Sequence, residues 1–197
     1  MYEVEIKVRA DHDAVEAALA DAGATRRSVV AQVDTYYDAP HRAFGATGEA
    51  VRLRRVAPVE TPEADPAATV ASAMDGEVTG RVTYKGPLVE ASSKTRKELE
   101  TDVGEISVLD QILQELGFEG AGTVRKVRSK YELHGYDVVL DDVVGLGTFV
   151  EVDATATEAE IETVRDGARS VLRTLGLDPA SQIRTSYLEM GDDRDGP

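Results

Sequence analysis

The chain has 197 residues, no cysteine, no tryptophan and three histidines, with 37 acidic against 22 basic side chains and a formal net charge of −15. That length predicts one domain with a proper core, and the composition excludes disulfide scaffolds, thiol nucleophiles and Cys-ligated metals, while histidines lacking an i,i+4 pair argue against a His metal site. So acidic a chain predicts no nucleic-acid partner; without an apolar run near the roughly 20 residues of a membrane span, and starting on the charged Glu3 and Glu5, it reads as cytoplasmic, with no membrane association.

Residues 2–9 alternate strictly, Val4, Ile6 and Val8 against Glu3, Glu5, Lys7 and Arg9, which predicts a strand. A helix follows over 11–22, with Asp11 or Asp13 as cap, Val15, Ala18, Leu19 and Ala22 as its stripe and Gly23 as its stop. Strands are expected at 28–38 and 49–56. The next 24 residues, 57–80, hold three prolines, six alanines, five acids and no Lys or Arg. They read as an acidic, flexible insertion without regular structure. Strands resume at 81–86 and 95–102, and Ile106, Leu109, Ile112, Leu113 and Leu116 predict a helix over 106–116. Three further strands, 123–133, 136–142 and 148–153, are separated by the turn signals His134-Gly135 and Gly145/Gly147. A capping box, Thr157 with Glu160, opens a helix over 158–175. A short strand or turn at 183–190 precedes an acidic tail, 191–197. About eight strands, three helices and no βαβ alternation predict an α+β domain over 1–190, built on an antiparallel, closed or nearly closed barrel.

The polar sides of these strands carry the functional signal. They are ionised on strand after strand: Glu3, Glu5 and Lys7; Arg52 and Arg54; Arg81 and Lys85; Arg96, Glu98, Glu100 and Asp102; Lys126, Arg128 and Lys130; Asp141; Glu151 and Asp153. Each set is spaced by two and so shares a face. Solvated outer faces with weak cross-strand ion pairs are the plain reading of any one strand. Taken together, they concentrate scarce cations of an acidic chain on faces where surface logic does not put them. The basic residues are 16 Arg and only 6 Lys, a balance that suits a halophile's high-salt cytoplasm, as well as an ordinary acidic protein. If the ionised faces point inward, they line a wet channel whose Arg and Lys bind a polyanion. The carboxylates between them would hold Mg²⁺ or Mn²⁺, which take oxygen ligands and bridge carboxylates to phosphates. Phosphoryl transfer needs that charge neutralisation more than a covalent nucleophile. No G-x-x-x-x-G-K-[ST] or strand–glycine–helix phosphate motif competes.

With those residues in order, the chain resembles the CYTH superfamily, the triphosphate tunnel metalloenzymes. Glu3-Val4-Glu5-Ile6-Lys7 is similar to its ExExK signature. Asp34-Thr35-Tyr36-Tyr37-Asp38, Arg52-x-Arg54, Tyr84-Lys85-Gly86-Pro87, Arg96-x-Glu98-x-Glu100, Lys126-x-Arg128, Leu140-Asp141 through Glu151, and Ser186-Tyr187 follow in order. The resemblance covers about 1–190, is nearest to the class IV adenylyl cyclase-like branch, and implies an eight-stranded antiparallel β-tunnel with flanking helices. It also implies that Lys7, Arg52, Arg54, Lys85, Arg96, Lys126 and Arg128 bind phosphates, and that Glu3, Glu5, Glu98, Glu100, Asp141, Glu151 and Asp153 serve Mg²⁺ or Mn²⁺. Glu3, Glu5 and Lys7 are the expected catalytic group; Asp153 stands where relatives often have Glu. The expected reaction converts ATP to cyclic AMP and pyrophosphate. The alternatives are a triphosphatase acting on thiamine, inorganic or nucleoside triphosphate, and a non-catalytic triphosphate-binding module. A homodimer is compatible with the family.

Overall fold

In a computed structural model, which describes residues 2–88 and 95–192, eight antiparallel strands close into one barrel. The strands are β1 (Tyr2–Arg9), β2 (Thr25–Asp38), β3 (Ala50–Pro58), β4 (Thr79–Leu88), β5 (Arg96–Val103), β6 (Glu119–Leu133), β7 (Tyr136–Val143) and β8 (Gly147–Ala156). Around the ring they run β1-β5-β4-β3-β2-β6-β7-β8, so β2 lies directly across from β1. The described helices are α1 (His12–Asp21), α2 (Phe44–Thr47), α3 (Pro66–Met74), α4 (Ile106–Glu115), α5 (Ile161–Thr174) and α6 (Tyr187–Asp192). No described helix is long and apolar enough to cross a membrane.

The barrel is inside-out relative to an ordinary core, and the pleat explains why. The apolar side of β1, Val4, Ile6 and Val8, is fully buried, yet it faces away from the barrel axis. It packs with Leu140, Val150 and Val152 against Val15 and Leu19 of α1 and Ala168, Val171 and Leu172 of α5. Helices thus cover the apolar outer face, and the alternating ionised side chains point inward. The caps hold as the sequence predicts: Asp11 accepts from Ala14 N, and Thr157 and Glu160 form a capping box on the 3-10 turn leading into α5. His134 and Gly135, both at positive φ (54° and 82°), make the β6–β7 turn.

Two segments differ from expectation. The stretch 57–80 is not a structureless insertion: β3 runs to Pro58, β4 starts at Thr79, and α3 lies between. Its prolines mislead, because Pro66 takes the first helical turn, where no N–H is needed, and Asp65 accepts from Ala67 N. The alanine run then favours helix, and Val70 is buried on Ala31 and Val127 of the sheet. The segment 183–190 carries α6 rather than a strand. Ser186 and Glu189 cap each other's backbone N–H at its start. The acidic tail lies outside the described residues beyond Asp192.

Candidate active site

The barrel encloses a cavity of about 550 Å³, lined by every site residue expected from the sequence except Asp141. Glu3, Glu5 and Lys7 reach it from β1, Arg52 and Arg54 from β3, Lys85 from β4, and Arg96, Glu98 and Glu100 from β5. Lys126 and Arg128 enter from β6, and Glu151 and Asp153 from β8. Asp102 continues the β5 row but stays largely in solvent, its side chain 82% exposed.

On one side of the cavity the charges are matched. Asp34 of β2 is opposite Arg54 of β3 and accepts from its Nε and Nη2 at 2.6 Å each. Burial opposes ionisation of Asp34, but Arg54 and Arg52 outweigh it and hold the carboxyl well below the ordinary range. Asp141 of β7 is fully buried opposite Arg128 of β6, which donates from Nε at 2.6 Å; Lys126 donates at 2.9 Å and the Tyr187 hydroxyl at 3.0 Å. Against the cost of burial, Arg128 and Lys126 keep Asp141 ionised. Arg128 also donates to Glu151 at 2.6 Å. Asp141 is therefore enclosed by its donors, behind the cavity surface rather than on it. Lys126, buried beside Arg128, is shifted down to about 8 by desolvation first and by that neighbour second.

The other side is crowded with acids. Glu5 of β1 is opposite Asp153 of β8, and Asp153 is opposite Asp137 of β7, so three carboxylates stand in one row. Like charges placed so are destabilising by themselves. Burial raises Asp153 well above the carboxylate range, and Glu3, Glu151 and Glu5 raise it further. Glu98 rises to about 7, through burial and through a hydrogen bond with Glu3. Lys85 sits between that pair, 2.9 Å from Glu3 and 2.7 Å from Glu98; despite burial it holds Glu3 far below the normal range. Arg52 reaches Glu100 at 3.7 Å, and Thr83 donates to Glu100 at 2.8 Å.

The donor set suits a divalent cation: it is all oxygen, anionic in excess, and retains protons that a cation would displace. Among the described residues no three acids converge closely enough to hold an ion by themselves. Such an ion would rest on one or two carboxylates, with phosphate oxygens and water completing the shell, which is how Mg²⁺ is ordinarily held.

Several cavity residues have no site role assigned from the sequence, although Lys130 belongs to the ionised row of β6 and Asp34 and Tyr36 to the Asp34–Asp38 motif. Asp34 and Tyr36 share the period-two face of β2, the same signal that marked the other strands. Lys130 and Asp137 also line the space. Tyr187 reaches it from α6, and only its Ser186-Tyr187 context stood out.

The CYTH domain signature matches residues 1–187. A protein of Methanocaldococcus jannaschii named "Putative adenylate cyclase MJ0240" is 32% identical over 192 residues, covering 96% of this chain and 98% of its own. The PH1819 protein of Pyrococcus horikoshii is 30% identical and superposes with a TM-score of 0.82, over 98% of this chain and 99% of that one. HpAC1 from Hippeastrum, described as having a dominant triphosphatase activity, is 17% identical and shares the fold, with a TM-score of 0.63 over 98% of this chain and 95% of its own.

Proposed function

The chain belongs to the CYTH family, and on that premise we propose that it is a cytoplasmic enzyme using Mg²⁺ or Mn²⁺ to convert ATP to cyclic AMP and pyrophosphate. The observation that carries this reading is the division of the tunnel. Acids on β8, β1 and β5 stand across the cavity from cations on β3 and β6, which flank β2. A triphosphate of about four negative charges, laid between them, meets Arg and Lys forks on one side. A metal-holding face meets it on the other. A simple anion trap would gain nothing from a carboxylate row beside its ligand.

Arg52, Arg54, Lys126 and Arg128 would grip phosphate oxygens, with Lys7, Lys85 and Arg96 adding charge. Glu3 and Glu5 would hold the metal, with Glu98, Glu100, Glu151 and Asp153 around it; Asp141 serves by fixing Lys126 and Arg128. A bound divalent cation neutralises phosphate charge and lowers the pKa of an attacking hydroxyl. The chain's part is to align the ribose 3′-hydroxyl with the α-phosphorus, so that the bond to pyrophosphate breaks as the new ester bond forms. The second reading, a triphosphatase in which water attacks the terminal phosphorus, uses the same lining, which addresses the phosphates alone. The Hippeastrum fold relative is a protein in which that activity dominates.

Phosphorus NMR tests both. Protein in molar KCl is given ATP, tripolyphosphate or thiamine triphosphate with Mg²⁺ or Mn²⁺. Pyrophosphate with cyclic nucleotide is expected from ATP; orthophosphate release instead would replace the cyclase reading by the triphosphatase. Tight binding without turnover would reduce the protein to a binding module.

A further inference from the structure

Lys7 and Lys126 enter the tunnel from different strands, are almost fully buried, and converge on one side chain that belongs to neither strand. The Tyr187 ring centroid lies 4.0 Å from Lys7 Nζ and 5.0 Å from Lys126 Nζ. Phe149 braces the ring edge-on at 5.0 Å, and the hydroxyl donates to Asp141 at 3.0 Å. Burial, with Asp141 and Glu151 nearby, keeps the phenol protonated, so it remains a donor. The segment before Tyr187 is tied to the same lysine. Ile183 N donates to the Lys7 carbonyl at 2.8 Å, and Lys7 Nζ donates to the Thr185 carbonyl at 2.7 Å. On the other flank Leu188 rests on Gly122, where a Cβ would come within 2.5 Å of its Cδ1. The segment 183–188 is thus seated at this point by several independent contacts.

From this convergence we propose that Tyr187 is a positioning residue for substrate binding: its ring face aims the Lys7 and Lys126 ammonium groups at the triphosphate. The choice of an aromatic group has a chemical reason. Lys126 already donates to Asp141 at 2.9 Å; a further carboxylate in the place of the ring would neutralise the two ammoniums and repel the incoming phosphates. A ring face attracts the cation through its quadrupole, adds no formal charge and itself takes up no N–H donor. Two like-charged ammoniums can share one ring where they could not share one another's company unaided. Burial strengthens the contact, since a desolvated cation–π pair is worth more than an exposed one.

The inference rests on the triphosphate reading above, and its test separates the two. Calorimetry measures tripolyphosphate binding in the presence of Mg²⁺ to the whole protein and to Tyr187→Phe and Tyr187→Leu. Steady-state kinetics follow with the substrate that the NMR assay identifies. Tyr187→Phe keeps the ring and loses the hydroxyl; about a threefold loss of affinity is expected. Tyr187→Leu keeps apolar bulk and loses the ring; about a tenfold or greater loss is expected, seen as a raised KM with kcat within about threefold. A loss of folded protein alone would lower apparent kcat and leave KM in place, and thermal melting checks it directly. If the parent protein binds no tripolyphosphate, the triphosphate reading fails. If the parent binds and Tyr187→Leu binds equally well, or if Tyr187→Phe loses as much as Tyr187→Leu, the ring has no positioning role and the inference is overturned.

Discussion

Across β2, β3, β6 and β7 the facing residues are opposite in sign: Asp34 stands against Arg54, and Arg128 against Asp141. Across β1, β8 and β7 acid faces acid at two places, Glu5 against Asp153 and Asp153 against Asp137, although Lys7 one step along faces Glu151. On the matched side Asp34 and Asp141 are each ion-paired within the protein, so these carboxylates are structural and hold the more numerous cations in fixed geometry. The crowded side is incomplete, and it relieves repulsion by keeping protons, as Glu98 and Asp153 do. The same residue type therefore has opposite meanings on the two sides: an acid is a brace on one and a proposed cation ligand on the other.

The strongest way to break that division is at Glu5, in the acid row of the crowded side. Glu5→Ala, or removal of divalent ions with EDTA, is expected to cut turnover by about 10²–10³-fold, since metal assistance is worth several kcal/mol. Circular dichroism should report an intact fold, and retained turnover would remove Glu5 from the metal face. On the matched side the expected damage is to stability. Asp141→Ala strands two buried cations and should cost about 3–5 kcal/mol in denaturant unfolding. A loss below about 1 kcal/mol would show that the brace is dispensable.

The corresponding change on the crowded side is expected to have the reverse sign. Glu98 titrates near 7 in the fold against 4.5 for a free glutamate, so between those values the folded state binds more protons than the unfolded one. Stability of the metal-free protein therefore falls as pH rises from about 5 to 8, by on the order of 1–3 kcal/mol. Glu98→Gln should flatten this slope and leave the metal-free variant more stable than the parent at pH 8. A parent slope of zero, or one rising with pH, would contradict a Glu98 that keeps its proton in the fold. Smallest of all is the effect at Arg27, whose 2.7 Å pair with Glu132 is 58% and 39% exposed. Arg27→Ala should change stability by less than about 0.5 kcal/mol, because water screens such a pair; a larger change would show that ion pairs outside the tunnel matter as much as those within.

Legibility in the sequence followed the range of the interaction involved. Alternation in β1 and in Lys126-x-Arg128 is set by the pleat of one strand, and caps such as Asp11 or Thr157 act within a single turn, so both could be read directly. The helix α3 is hidden by a composition of prolines, alanines and acids that suits an unstructured insertion equally well, until Asp65 is seen to cap Pro66 and the alanine run. Asp34 shared the period-two pattern, yet nothing local distinguished a buried brace from an exposed acid. Tyr187 was harder still, since its partners Lys7, Lys126 and Asp141 are remote in the chain.

The sequence by itself determined which charged side chains share a face, and that those faces were too ionised and too rich in cations for a plain acidic surface. Only the closed barrel decided what each charge meets. Ring order places β5 beside β1 and β6 beside β2, and register then puts Asp141 among donors and Asp153 among acids. Strand pleat is a property of adjacent residues, whereas charge compensation depends on neighbours that only closure brings together.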